Sequence, residues 1–305
     1  MKNFISLFIV FAASHLCAQN ILAEYHYDCT DCFQEVIIDG SFCDIEVIGG
    51  SNQLRFDGVI RGDGDEGDYK ITSRENGATI IFKVDRKNNS GWNWNMNLTT
   101  KIELTLPDNT TLRIENTSGD LKIVDYTAEN LNVRTTSGDM NLRNVKSICR
   151  LKSTSGDLEA RDLIGSVSMV STSGDQEYRS INGNLDAEAT SGDMELMKIM
   201  GAVQLSATSG DIDIDGLTGS LRVKTTSGEI DGDYITLNND AYFKSTSGDI
   251  HITLKNELDE LSFDLRATSG DLRVGGIRGE DNLSFRKGPI MIEGVSTSGD
   301  QTYDH

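Results

Sequence analysis

One tetrapeptide governs this chain. Thr-Ser-Gly-Asp begins at Thr117, Thr136, Thr154, Thr172, Thr190, Thr208, Thr226, Thr246, Thr268 and Thr297, with Glu229 replacing the Asp in the seventh copy. The intervals are 19 residues, then 18 five times, then 20, 22 and 29. So regular a period restricts the chain to a repeat architecture, in which each unit buries its apolar face only by stacking on the next.

The residues inside a unit say what is stacked. In the copy that starts at Thr190, apolar Met194 and Leu196 flank polar Glu195, and Ile212/Ile214 and Ile250/Ile252 repeat the pattern. The tenth place is apolar (Val145, Leu163, Ile181, Ile199, Leu217) and the twelfth is usually glycine (Gly165, Gly183, Gly201, Gly219). Alternation then resumes with Val167/Met169, Leu185/Ala187, Val203/Leu205 and Leu221/Val223. A period of two means short strands with one buried face, and no segment carries a helical period. Parallel stacking at about 4.8 Å per coil predicts an all-β fold, a parallel β-solenoid (β-helix) of ~18-residue coils, about 50 Å long over ten registers. Gly119, Gly138, Gly156, Gly174, Gly192, Gly210, Gly228, Gly248, Gly270 and Gly299 are the expected corner glycines, with positive φ.

The rest of the chain divides around this repeat. Lys2 followed by the apolar run Phe4–Ala13 and a small residue at Ala18 reads as a signal peptide over residues 1–18. That makes the mature protein exported, to the periplasm, cell surface or medium. Cys17 raises lipidation as a lesser alternative, because Ser14 and Leu16 fit a lipidation site poorly. No later apolar stretch is long enough to span a bilayer as a helix. Residues 19–116 carry strand signals without the strict repeat and are expected to form an N-terminal β cap and irregular first coils; residues 117–305 form the solenoid. Asn76-Gly77 between YKITSRE and ATIIFKV predicts a hairpin. Cys29, Cys32 and Cys43 are candidates for a structural disulfide; metal binding and redox chemistry by Cys29-Thr30-Asp31-Cys32 are the alternatives. Cys149 falls on a core place and reads as a small buried hydrophobe.

Charge narrows the chemistry. With 28 Lys+Arg against 48 Asp+Glu the net charge is −20, the wrong sign for a nucleic-acid binder. Ten of these acids follow the corner glycines: Asp120, Asp139, Asp157, Asp175, Asp193, Asp211, Glu229, Asp249, Asp271 and Asp300. Stacked carboxylates about 5 Å apart repel, so something must hold them. Hydrogen bonds from corner amides and hydroxyls are the structural account; a cation array, with calcium as the ion, or a docking edge for a basic partner is the functional one. Trp92 and Trp94 share one strand face, either covering the solenoid end or forming a sugar-stacking platform. Arg61-Gly62-Asp63 reads as an exposed turn. The histidines have no metal-ligand spacing, and no nucleophile elbow or phosphate loop occurs, so no catalytic residue is assigned.

A strand, the Leu106-Pro107 turn, a second strand and then a train of Ser-Gly-Asp repeats resembles the bacterial putative-adhesin β-strand-repeat family, a domain of unknown function. It is similar also to the head domain proposed for certain autotransporter adhesins. The resemblance implies a non-enzymatic β-solenoid at the cell envelope, with an adhesive or scaffold role and an unidentified protein or glycan as partner. A polysaccharide-active enzyme on a β-helix and an envelope-stress regulatory component are the alternatives.

Overall fold

The computed structural model describes residues 20–30, 33–63, 67–86 and 98–305. Every regular element among them is a β-strand. No helix there is long and apolar enough to cross a membrane.

The middle of the molecule follows directly from the alternation. Residues after each motif form one sheet, here called the motif sheet. Within it Met140 pairs with Leu158, Leu158 with Gln176, Gln176 with Met194, and Met194 with Ile212, always in parallel. The second half of each unit forms the return sheet, in which Cys149 pairs with Val167, Val167 with Leu185 and Leu185 with Val203. Each residue therefore lies beside its equivalent one unit later. The long strands Met140–Lys152 and Met194–Ser209 run through the bend and serve both sheets. With Leu158–Ile164, Gln176–Asn182, Val167–Ser171 and Leu185–Ala189 they close a parallel ring of pairings. The apolar places fill the space between the sheets: Leu142, Ala160, Tyr178, Leu196 and Ile214 from one side, Leu151, Met169, Ala187, Leu205 and Val223 from the other, all buried.

Two glutamines sit inside this core, at a place otherwise held by Leu, Ile or Met. Gln176 donates to Ser171 Oγ (2.8 Å) and accepts from the Tyr178 hydroxyl (2.6 Å). Gln301 donates to Ser296 Oγ and to the Arg266 carbonyl, both at 2.9 Å, and accepts from Tyr303. The two sites share the sequence Ser-Thr-Ser-Gly-Asp-Gln-x-Tyr, so the buried amide arrives with its own partners.

Both ends depart from simple stacking. At the start, Glu35–Asp39 lies between Thr79–Arg86 and Thr111–Glu115, and Asp44–Ser51 lies between Thr99–Pro107 and Leu121–Val124, all parallel. The first coil is thus interior to the stack. Leu54–Gly62 and then Asn20–Cys29 add antiparallel strands outside it, and Tyr69–Asn76 makes the hairpin with Thr79–Arg86. Phe56 and Phe82 stack at 4.0 Å, sealing that end together with Tyr25. At the far end, Ile290–Ser298 inserts between Ala241–Ser247 and Leu261–Ser269, and Gln301–Asp304 between Ile250–Leu254 and Leu272–Val274. Chain order and spatial order therefore part company, and a ladder read straight from the sequence needs correcting there: Asp300 lies between Asp249 and Asp271. The antiparallel strands Asn282–Arg286 and Ile277–Gly279 finish the stack.

The cysteines divide. Cys29 is disulfide-bonded. Cys43, a disulfide candidate by sequence, is instead a free, buried thiol, pushed up to about 11 by burial. Its chain segment forms the first corner, beneath Gly119, and its side chain points inward. Cys149 is also free and buried, its thiol pushed up to about 12 for the same reason, so neither is a ready nucleophile. Cys32 lies outside the described residues.

Candidate functional site

The corner column is the feature the repeat announces. All ten motif glycines have positive φ, 111° at Gly192 for example. A Cβ there would lie 2.2 Å from the Gly174 carbonyl oxygen in the coil below, so glycine is required by conformation and by space together. With the coils this close, each aspartate reaches its neighbour. Asp44 Oδ1 accepts the Asp120 amide, Asp120 accepts from Asp139, and the series runs through Asp157, Asp175, Asp193 and Asp211 to the Glu229 amide, at 2.8–3.1 Å. Beyond it Asp249 accepts the Asp300 amide (2.8 Å) and Asp300 the Asp271 amide (2.7 Å). One oxygen of each of these carboxylates is thus held by a backbone N–H. Among the described residues no group of three or more His, Cys, Asp or Glu side chains is placed to hold a metal ion.

A second left-handed column was invisible in the sequence. Asp125, Asn144, Asp162, Ser180, Lys198 and Tyr234 have φ of 52–56°, and Gly216 stands in the same column at 84°. All occupy the ninth place, where the chain kinks before the buried tenth residue. No shared residue type marked it.

The outer face of the motif sheet is charged. Arg161 pairs with Glu159 and Glu177, and Arg179 with Glu177 and Glu195. Arg143 stands beside Arg161 in the same row, with no carboxylate partner among the described residues. This end of the face forms an open hollow of about 860 Å³, lined also by Lys101, Lys122, Asp120 and Asp139. Further along, the cations stop, and Asp213, Asp215, Asp231 and Asp233 take the same rows. Burial and the neighbouring Asp231 and Asp211 raise the Asp213 carboxyl above its ordinary range; Asp231 chiefly, then burial and Asp249, raise Glu229.

The outer face of the return sheet differs. One row reads Arg150, Ser168, Asp186, Gln204, Arg222, Tyr242. Beside it stand Ile148, Ser166, Asn184, Ala202 and Ser220, and together the small side chains leave a trough of about 490 Å³. No motif pointed to it, because small polar residues at outward places look like any solvated surface. Trp92 and Trp94 lie outside the described residues.

A family model described as Toastrack DUF4097 matches residues 35–212 and again 197–304. Among solved structures, a "putative lipid binding protein" from Parabacteroides distasonis is 14% identical, with 91% of this chain and 96% of that chain covered and a TM-score of 0.43. A "putative adhesin" from Bacteroides fragilis is 11% identical, covering 92% and 97% with a TM-score of 0.34. A "putative cell adhesion protein" from Clostridium sporogenes is 10% identical, covering 92% and 98% with a TM-score of 0.23. No curated protein matches the chain.

Proposed function

This chain belongs to the Toastrack DUF4097 family, a domain of unknown function, and we propose that it is an exported, non-enzymatic β-solenoid that binds its partner along an outer face, in the adhesin-like or envelope-scaffold class. The uniform one-unit offset between paired residues, from Met140 through Ile230, supports the solenoid. The Lys2 and Phe4–Ala13 pattern supports export.

One observation carries the binding role. Outward places recur in rows at the coil spacing, so the molecule offers long open faces built from many coils: the trough alone takes side chains from five successive units. Such rows suit an extended partner more than a small substrate that needs enclosure.

Photo-crosslinking residues placed at Asp193, Glu195 and Ser168 of the full chain, one per variant, test this in cells. The expected result is a face-dependent adduct with an envelope protein or glycan. Purified protein incubated with acidic and neutral glycans should retain ligand without releasing shorter products. Product release would instead establish the polysaccharide-active enzyme.

A further inference from the structure

Within that binding role, we propose that the trough on the return sheet is a site for an extended acidic glycan, with Arg150 and Arg222 taking its carboxylates and neutral sugars lying between them. The two arginines stand in one row, four strand steps or about 19 Å apart. Neither has a carboxylate partner among the described residues. Arg150 donates to the Asn130 amide oxygen (3.0 Å), and Arg222 lies over the Tyr242 ring at 4.8 Å. In a chain of net charge −20, two guanidinium groups bounding one trough, their heads lying toward Asn130 at one end and Tyr242 at the other, are a local concentration of positive charge.

The floor suits sugar hydroxyls. Ser166, Ser168 and Ser220 line it, and their hydroxyls make no hydrogen bond to another described residue. Asn184 accepts the Ala202 amide through its oxygen (3.1 Å), which leaves its NH₂ facing outward as a donor. Asp186 accepts from the Gln204 amide (3.2 Å) at mid-trough, so a charged unit is disfavoured there and a neutral one fits. Beyond Arg222 a small pocket holds Asp240 and Glu293; Asp240 accepts the Met291 amide (2.8 Å), and this acidic margin ends the anionic site. The overall negative charge also tells against a nucleic acid, whose evenly spaced phosphates would meet Asp186 and the acidic margin.

Oligosaccharides of deacylated gellan, in which neutral sugars separate the uronates, and their methyl-esterified form, titrated calorimetrically into the full chain, are the probes. The acidic form should bind and the ester should bind at least roughly tenfold more weakly, as expected for loss of charge-assisted hydrogen bonds. Arg150→Gln and Arg222→Gln should each weaken the acidic form roughly tenfold with Tm unchanged. Ser168→Tyr, which fills the trough floor, should weaken both forms. Equal affinity for acid and ester, no binding of either, wild-type affinity in the arginine variants, or equal binding of a single-stranded DNA oligomer would each overturn the site. A partner crosslinked through Glu195 but not through Ser168, with no gellan oligosaccharide bound, overturns the trough and leaves the binding-face reading standing. Product release in the glycan incubations overturns that reading by itself.

Discussion

A carboxylate that accepts the amide of the next carboxylate-bearing residue turns a repulsive row into a connected one. Each link places a charged acceptor on a backbone donor that the corner otherwise leaves to water, and such bonds contribute more than neutral ones, although exposure discounts them here. Glu229 is the break: its longer side chain does not hold the Asp249 amide, and its neighbours Asp231 and Asp249 raise its carboxyl. Glu229→Asp should therefore restore the link and stabilise the protein by about 0.5–1.5 kcal/mol in urea unfolding. Glu229→Gln should raise Tm at neutral pH. A carboxyl raised in the fold favours folding most below its ordinary range, and that contribution is lost as pH rises through the raised value. The Gln variant's advantage should accordingly vanish in acid. Equal Tm across the pH range would show that Glu229 feels no such field. The ladder residues were legible in the sequence because Asp recurs at one place. That corner amides would hold them was legible too; that each amide belongs to the acid one coil on was not, because it depends on coil contact distance, and neither was the buried Gln176, whose partners Ser171 and Tyr178 gather only in the folded core.

At the scale of the strand and its corners, two kinds of left-handed residue behave differently. The motif glycines leave no room: Gly192→Ala drives a Cβ against the Gly174 carbonyl and should cost about 2–5 kcal/mol, from left-handed strain plus overpacking. The ninth-place residues have room but the wrong chemistry. Lys198 adopts φ 56° where Gly216, one unit on, adopts 84°, and a Cβ on Gly216 would meet nothing closer than 3.8 Å. Lys198→Gly should stabilise by about 0.5–1 kcal/mol, measured as a shift of the urea midpoint. A destabilised Lys198→Gly would mean that the side chain's contacts outweigh the strain. The strands and the motif corner were legible from alternation and the recurring glycine. The ninth-place kink was hidden because Asp, Asn, Ser, Lys, Gly and Tyr all serve there, and none is demanded by packing.

On the scale of the molecule, the intervals of 22 and 29 residues announced extra chain near the end, but not where it goes. The last strand pair inserts because Ile292, fully buried, fills the gap between Ala241 and Phe263. Ile292→Ala should cost about 2–5 kcal/mol. In hydrogen exchange it should weaken protection at Ala241–Ser247 and Leu261–Ser269 together, while Leu158–Ile164 and Gln176–Asn182 keep theirs. Loss confined to Ile290–Ser298 would contradict the insertion. The first coil is enclosed in the same manner, between Thr79–Arg86 and Thr111–Glu115. This enclosure bears on how such a protein can change its length over evolution. A stack with free ends could grow by duplicating a unit at either terminus. Here a terminal duplicate would find the docking edges already occupied by antiparallel strands, so new units can enter only in the interior, where neighbouring coils match at an even 18-residue offset. The five consecutive intervals of 18 in the middle of the chain, and the uneven ones toward its end, are what lengthening from within would leave behind.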